Sequence, residues 1–438
     1  MPPTVRSDLC PDCQAPLKVP PKGPLWCSSC EWNLPAYDAE LVPTQGWRWL
    51  SRRTHATAFR LDCARYTELA ASPLQRPGLT LARIVLVVVS ALLVLLTLAG
   101  IGLGVWLLML DFPSWAMLPG LLLILLSVAV RPRLGGLPPE KSTLRRQQAP
   151  TLFGLIERGA AATGTGMPAV VAVDGRLNAS WSRVGLHQRS LLTIGLPLWI
   201  VLRPQARVAL LAHELAHAVN GDPARDLLVY PALTTFRQLA HAVGGWEPYP
   251  AGPPDRPRLF SMIGDLVLGT FSVFGGAFVL WVVSRLFLVV HLGLTALGMR
   301  DRQRSEYLAD AMAVDVAGTE ATMELLDRLL LLPSIVATIG ENIATALPAR
   351  WAGIADALHA ELGGELANRR QLTRRGTSLW ETHPPIGLRA RMVEGRPGRE
   401  ARIVLSEEES ARIDQELAGW YASIHQRMRA AHAASGQT

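Results

Sequence analysis

LLAHELAHAVNGD, residues 210–222, places two histidines four positions apart and a glutamate directly after the first. A proline suited to a first helical turn and a glycine suited to a helix end bracket residues 204–220, so this segment is predicted to be one helix. On that helix His213 and His217 project from the same face and can reach one ion. Glu214 lies beside them, where it can meet a metal-bound water. An ordinary helix with hydrogen-bonded histidines is the alternative, so a third metal ligand is needed.

The third ligand is expected from a second helix. A further histidine at position 223 would be the solution of one large class of zinc peptidases, but the chain has proline there, which excludes that class. The segment RQRSEYLADAMAVDVAG, 302–318, supplies Glu306, with Asp310 one turn later where it can orient a ligand histidine. Glu247 is a rival in a proline-rich loop. Glu306 is preferred, because the prolines around Glu247 hold no regular element in place.

A membrane segment is indicated by the apolar composition. Of 438 residues 49% are hydrophobic and 18% are charged. Residues 84–110 carry no charge, and about 20 such residues span a bilayer core. A break at 111–113 is followed by a second apolar run at 115–130, close to the minimum spanning length. We predict a transmembrane hairpin at 84–130.

Basic residues set the orientation of this hairpin, because they stay on the cytoplasmic side. They lie on both flanks: Arg65, Arg76 and Arg83 before it, and Arg131, Arg133 and Lys141 after it. Both ends are therefore predicted to be cytoplasmic. These flanks explain much of the net charge of +7, so no nucleic acid partner is expected.

A second apolar region runs from 259 to 299 and has basic residues on both sides. Its 41 residues amount to roughly 60 Å of helix, enough for two short passes. One tilted span and a buried pair of soluble-domain helices are the alternatives. Positive charge on both flanks favours an even number of crossings, so a second hairpin is predicted, with its turn near either Gly276 or Arg285.

The cysteines predict a separate N-terminal module. Cys10 and Cys13 form one C-x-x-C pair, and Cys27 and Cys30 form another, with thirteen residues between the two pairs. This spacing suits two turns that close a tetrahedral thiolate site, a zinc ribbon. A pair of disulfides is the alternative, but a reducing cytoplasm disfavours it. Such a zinc has no open coordination position, so its role is structural or partner-binding. Cys63 is left over and is expected to be inert.

Further motifs accompany the histidine helix in a fixed order. They are APTLFGLIERGAAATG (149–164), VVAVDGRLNAS (170–180), TIGLPLWIVLRPQARVALLAHELAHAVNGD (193–222), SEYLADAMAV (305–314) and THPPIGLRARM (382–392). Together these motifs resemble the HtpX-like and CAAX-prenyl-endopeptidase group of membrane zinc metallopeptidases over roughly 149–394. The prenyl-peptide branch has seven spans, more than this chain provides.

The resemblance implies a gluzincin-like site. His213, His217 and Glu306 would be its zinc ligands, and Glu214 its catalytic base. The implied activity is hydrolysis of peptide bonds in unfolded or membrane proteins, as part of protein quality control.

Three further residues are given roles by the resemblance. Asn178 would lie on the edge strand, around 178–193, that binds an extended substrate by strand addition. His383 and Arg389 would line the site, and either could donate a hydrogen bond to the developing oxyanion. Alternatively, His383 anchors a loop and Arg389 pairs with a carboxylate.

The predicted fold is a mainly α membrane protein: a zincin-type α+β metallopeptidase domain with transmembrane helical hairpins and a small N-terminal zinc ribbon. Two zinc ions, one catalytic and one in the ribbon, are expected. The expected partners are polypeptide substrates, the lipid bilayer and a protein bound through the ribbon. The location is predicted to be the bacterial plasma membrane, with ribbon and active site on the cytoplasmic side. The predicted segments are 1–45 (ribbon), 46–83 (cytoplasmic linker), 84–130 (hairpin), 131–400 (metallopeptidase domain, interrupted at 259–299) and 401–438 (a surface helix opened by a capping box at 406–409).

Two other functions compete with this one. An intramembrane protease of the site-2 type also uses H-E-x-x-H, but embeds it in the bilayer, where charge is costly. A membrane adapter with purely structural zincs is the other, and Glu214 disfavours it because a structural site needs no carboxylate beside the metal. The intramembrane protease is disfavoured because polar and charged residues surround the H-E-x-x-H motif in this chain: Arg203, Arg207, Asn220, Asp222, Arg225 and Asp226.

Overall fold

The computed structural model describes residues 9–11, 13–16, 48–71, 81–110, 113–115, 117–131, 136–185, 187–219, 235, 277–343, 347–374 and 383–435. The helices are α1 (Arg48–Ala70), α2 (Leu81–Met109), α3 (Met117–Val130), α4 (Pro150–Thr163), α5 (Leu196–Val201), α6 (Pro204–Val219), α7 (Ala277–Ala317), α8 (Thr319–Glu341), α9 (Pro348–Leu362), α10 (Leu366–Thr373), α11 (Ile386–Glu394) and α12 (Glu407–Ser435). The strands are β1 (Thr143–Leu144), β2 (Val170–Asp174), β3 (Ala179–Val184) and β4 (Arg189–Gly195).

The four strands form one small sheet in the order β1-β2-β4-β3. β2 runs parallel to β4, while β1 and β3 pair antiparallel with their neighbours. The predicted edge strand at 178–193 is too long, because within this range only β3 is an edge strand and Thr193 lies in the interior strand β4. Gly195 fixes the start of β3: its N–H donates to the carbonyl of Asn178 at 3.0 Å, and a Cβ there would lie 2.3 Å from that oxygen.

One face of the sheet packs against the helices of the peptidase domain. Val171, Val173, Leu192 and Ile194 share this face, since their side chains all join the main apolar core. The helices add fully buried side chains to the same core: Leu152 and Ile156 from α4, Trp199 from α5, Leu211 from α6, and Ile413 and Leu417 from α12. The main core therefore joins the sheet to helices from both ends of the domain.

The C-terminal helix α12 is a surface helix whose inner face joins this core. The Ser406 hydroxyl accepts the Glu409 N–H at 3.1 Å, which is one half of the predicted capping box. Its Glu416 carboxylate accepts the N–H groups of Thr151 and Leu152 at 2.8 and 3.2 Å, in the first turn of α4. Only one face of α12 is polar, and the sequence does not say what covers the apolar face.

Helices α2 and α3 pack closely through small residues. A Cβ on Gly104 would lie 2.8 Å from the Gly120 carbonyl oxygen, and a Cβ on Gly120 would lie 2.8 Å from the Gly104 carbonyl oxygen. Such small residues allow two helix backbones to approach. Within the described residues, one helix, Arg83–Met109, is long and apolar enough to cross a membrane, and Met117–Val128 is a shorter apolar helix. The second crossing of this hairpin stays a prediction.

Helix α7 joins the second apolar region to the predicted ligand helix without a break. It is 41 residues long, about 60 Å, and ends at Ala317 before Gly318, whose φ of 91° stops it as predicted. A hairpin turn near Arg285 is therefore wrong, because the helix runs straight through that residue. Residues 259–276, including Gly276, lie outside the described residues, so the number of crossings stays a prediction.

The predicted linker at 46–83 contains an ordered helix, α1, that packs on the peptidase domain. Leu69 joins a buried cluster with Tyr307 and Leu388, and the Tyr66 ring meets the Tyr307 ring edge-on at 6.4 Å. Linker composition alone gives no sign of this contact. α1 therefore touches α7 one residue away from Glu306.

Of the predicted ribbon at 1–45, only residues 9–11 and 13–16 are described, and they form a tight turn. The Cys10 N–H donates to the Ala15 carbonyl at 2.8 Å, and the Gln14 N–H donates to the Cys10 carbonyl at 2.9 Å. Cys13 lies in this turn, whereas Cys27 and Cys30 lie outside the described residues. The zinc ribbon stays a prediction.

Candidate metal centre

Helix α6 presents the H-E-x-x-H pattern from a tightly held position. Its bounds, Pro204–Val219, agree with the predicted 204–220, and Asn220 lies outside the described residues. Arg207, which is buried, donates through Nε to the carbonyls of Trp199 and Leu202 at 3.1 Å each and through Nη1 to the Asp414 carboxylate at 3.0 Å. These bonds fix α6 against α5 and α12.

Two histidines of α6 converge with one carboxylate of α7. His213 Nε2 lies 3.5 Å from Glu306 Oε2, and His217 Nε2 lies 3.7 Å from Glu306 Oε1. Ligand atoms of all three residues lie within 4.8 Å of one another. Two atoms that each bind zinc at about 2 Å in tetrahedral geometry are about 3.3 Å apart, so the spacing fits a zinc ion. The rival Glu247 lies outside the described residues.

Asp310 lies directly behind His213, as predicted for a residue that orients a ligand. Its Oδ1 lies 3.0 Å from His213 Nδ1, which leaves Nε2 for the metal, and Asp310 is only 1% exposed. Burial by itself would lower the pKa of His213, but its hydrogen bonds to Asp310 and Glu306 outweigh burial and raise this pKa to about 10. Without metal, these two hydrogen bonds favour the protonated form of His213.

Arg389 holds Asp310 from the other side. Its Nε donates to Oδ2 at 2.8 Å and its Nη2 to Oδ1 at 2.6 Å, and both residues are buried. Burial would raise the pKa of Asp310, but the charge and hydrogen bonds of Arg389 lower it further than burial raises it. Of the two roles left open for Arg389, the geometry favours pairing with a carboxylate.

His383 lies on the open side of the centre, where its Nδ1 meets Glu306 Oε2 at 2.6 Å. Its side chain is 37% exposed, whereas that of Glu306 is 5% exposed. Burial would raise the pKa of Glu306, but the charge of His383 and hydrogen bonds to His213 and His383 hold it well below its usual range. The carboxylate of Glu306 is thus held in its ionised form and oriented by a neighbouring imidazole.

The Glu214 carboxylate reaches the edge of the sheet. Its Oε2 accepts the backbone N–H of Trp181, in β3, at 3.1 Å, and Glu214 is 4% exposed. Sequence reasoning missed this contact, because a backbone donor leaves no signature in residue type.

Asn178 lies one residue before β3, with an exposed side chain. Its carbonyl accepts the Gly195 N–H and so faces β4 instead of the outer edge. A substrate contact by Asn178 would therefore use its side chain, and this role stays a prediction.

The model of Peptidase family M48 matches residues 147–396, more than half of the chain. The chain belongs to peptidase family M48. M48 peptidases are zinc-dependent metallopeptidases, and the match covers His213, His217 and Glu306.

Relatives of this M48 peptidase carry the name Protease HtpX. The protein from Stenotrophomonas maltophilia (strain K279a) is 28% identical over 210 residues, which cover 46% of this chain and 67% of the relative. The protein from Xanthomonas campestris pv. campestris (strain B100) is 30% identical over 204 residues, 45% of this chain and 64% of the relative. No solved structure matches the chain. The predicted resemblance to HtpX-like metallopeptidases is confirmed.

Proposed function

We propose that this M48 member is a membrane-bound zinc metalloendopeptidase that hydrolyses peptide bonds of unfolded or membrane proteins. The observation that carries the proposal is the convergence of His213, His217 and Glu306 from two helices, with Glu214 between this centre and an open sheet edge. All four residues lie in the part of the chain that matches the M48 metallopeptidase family.

The chemistry divides between metal and protein. A zinc ion held by the three ligands would supply a nucleophile at neutral pH, by lowering the pKa of its water, and polarise the substrate carbonyl. Glu214 takes the proton of the attacking water on its carboxylate and passes it to the leaving amine. Arg389 is a positioning residue that acts through Asp310, since its Nε and Nη2 both donate to that carboxylate. His383, which is partly exposed, is the better candidate for stabilising the oxyanion.

The substrate class follows from the sheet edge and from α7. An edge strand binds extended peptide by main-chain hydrogen bonds, which suits unfolded segments better than folded ones. Glu306 comes seven residues after the apolar region that ends at 299, about 10 Å along the same helix. A site this close to a membrane segment suits cytoplasmic parts of membrane proteins. We further propose that the N-terminal cysteines hold a second, structural zinc and recruit a protein partner.

An intramembrane site-2-type protease is a weaker candidate. The start of α6 carries a cluster of charged pairs, in which Arg203 donates to Asp356 at 3.0 Å and lies 3.4 Å from Glu324. Its side chain is 52% exposed, and a charge on that surface is costly in hydrocarbon. This charge pattern supports a site beside the bilayer.

The proposal is tested by cleavage of casein, an unfolded substrate, by the detergent-purified protein. The comparison is between wild type, Glu214→Gln and a matched control, Glu361→Gln, which changes an exposed glutamate. We expect wild type and the control to cleave, and Glu214→Gln to hold as much zinc but lose cleavage. A wild-type protein that holds zinc and cleaves nothing would favour the adapter.

A further inference from the structure

The backbone groups of β3 divide into two sets. Antiparallel ladders use every second residue, and the Gly195 to Asn178 hydrogen bond assigns the even-numbered residues to β4. Ala179, Trp181 and Arg183 therefore direct their N–H and C=O groups to the outer edge, where an added strand would bind. The Trp181 contact with Glu214 agrees with this assignment, because that N–H leaves the sheet.

Two acceptors therefore compete for the Trp181 N–H, the Glu214 carboxylate and a substrate carbonyl. In the free protein it is taken by Glu214 Oε2 at 3.1 Å. A peptide added to β3 in an antiparallel ladder needs the same N–H for one of its carbonyls, because an outward-facing residue of the edge supplies both a donor and an acceptor. One N–H cannot give a full hydrogen bond to both oxygens.

We propose that Glu214 is held at the Trp181 N–H in the free protein and is displaced when a substrate carbonyl takes that N–H. This inference rests on the proposed function and deepens it. Docking of an extended chain would itself release the carboxylate oxygen that accepts the proton of the attacking water. No bond is made or broken in the exchange except one hydrogen bond for another.

The exchange predicts that the protein prefers peptides long enough to reach Trp181. A peptide that lines up with Trp181 replaces the lost hydrogen bond with its own carbonyl, so the Trp181 N–H stays satisfied. A ligand too short to reach Trp181 leaves Glu214 bound and gains nothing from the edge. Long extended substrates are therefore favoured by a contact that lies outside the metal centre.

Binding of fluorescein-labelled casein to the full-length, zinc-loaded protein tests the competition by anisotropy. The pair Glu214→Gln and Glu214→Ala is compared, because both lack the catalytic carboxylate and only Gln keeps an oxygen that can accept the N–H. We expect Glu214→Ala to bind casein about three- to tenfold more tightly, the value of one hydrogen bond. In a Trp181→Pro background, where the N–H is gone, this difference should disappear.

Two further backgrounds isolate the N–H. Trp181→Ala removes the ring and keeps the N–H, while Ala179→Pro removes an outward N–H that Glu214 does not use. Proline is tolerated at such edge positions because no ladder bond is lost. In both backgrounds, Glu214→Ala should still bind casein more tightly than Glu214→Gln.

A difference that persists in Trp181→Pro overturns the inference, as does equal binding by Glu214→Gln and Glu214→Ala, or casein that binds to none of the variants. Cleavage of casein by wild type is recorded beside the binding series. Absent cleavage with the expected binding pattern would reject the proposed function and leave the exchange standing.

Discussion

Arg389 and Asp310 form a buried, two-pronged ion pair behind the metal centre, with Nε 2.8 Å from Oδ2 and Nη2 2.6 Å from Oδ1. Asp310 in turn lies 3.0 Å from His213 Nδ1. The His213 imidazole is therefore oriented by two layers of side chains, drawn from α7 and α11.

Replacing Arg389 tests whether its ion pair with Asp310 stabilises the fold and orients His213. Arg389→Met leaves the Asp310 charge buried without its partner, so we expect a loss of about 3–5 kcal/mol in unfolding free energy. Zinc affinity should fall about 10- to 100-fold because His213 loses its orientation. Denaturant unfolding and zinc titration measure the two effects. Arg399→Met is the control: its pair with Asp315 is exposed, and it should cost at most about 1 kcal/mol.

The protonation of His213 predicts how zinc uptake depends on pH. The pKa of His213 is raised from 6.5 to about 10, so its stabilising contribution to the metal-free fold is complete below pH 6.5 and is lost as pH rises through 10. Zinc must displace this proton, so zinc affinity should rise with pH across that window. Calorimetric zinc titrations in buffers of different ionisation enthalpy should report proton release at pH 7. A pH-independent affinity would contradict the protonated state.

His383 should matter for the reaction more than for the metal. His383→Ala should lower kcat about 10²- to 10³-fold if His383 stabilises the oxyanion. Zinc content should stay near that of wild type, since Glu306 still binds from α7. Casein cleavage and metal analysis on the same preparation separate the two. Loss of zinc with loss of activity would mean that His383 mainly orients Glu306, through the 2.6 Å contact.

Glu416 ties the C-terminal helix to the first turn of α4. Glu416→Ala removes the acceptor of the Thr151 and Leu152 N–H groups, and we expect a loss of about 1–3 kcal/mol in unfolding free energy. Thermal unfolding in detergent measures it. Glu400→Ala changes an exposed glutamate and should leave the midpoint unchanged. If both variants changed the unfolding midpoint equally, the contact of Glu416 with α4 would not stabilise the domain.

The close packing of α2 and α3 predicts a strong dependence on side-chain size. Gly104→Val should destabilise the helix pair by about 1–3 kcal/mol, because its Cβ would meet the Gly120 carbonyl at 2.8 Å. A Cβ at Gly102 meets nothing within 4 Å, so Gly102→Ala should be neutral or slightly stabilising. Thermal inactivation rates of the two variants in lipid nanodiscs test the contrast.

The catalytic helices were predictable because their residue types are specific. The spacing of His213 and His217 fixes one face of α6, and a glycine marks the end of α7, so helix bounds and the choice of Glu306 over Glu247 follow from side-chain chemistry. The partner of Arg389 was left open, because a guanidinium in sequence shows a charge but not the carboxylate that folding brings to it.

Contacts between distant segments were the part that sequence could not supply. α12 has an apolar face, but only the fold shows that its Ile413 joins the main core and that its Glu416 accepts N–H groups from the first turn of α4. The hydrogen bond from Trp181 to Glu214 involves a backbone N–H, which every residue except proline provides.

The unbroken course of α7 limits how the protein can sit relative to a lipid bilayer. Ala277 and Glu306 are about 44 Å apart along the helix, so a 10° tilt of the apolar part alone would move Glu306 by about 8 Å. A metal site tolerates shifts of about 0.2 Å. As long as α7 stays unbent, the apolar segment and the peptidase domain therefore rotate as one body. A thicker or thinner bilayer would change the angle at which the whole domain faces the membrane plane, and with it which parts of a neighbouring chain come within reach.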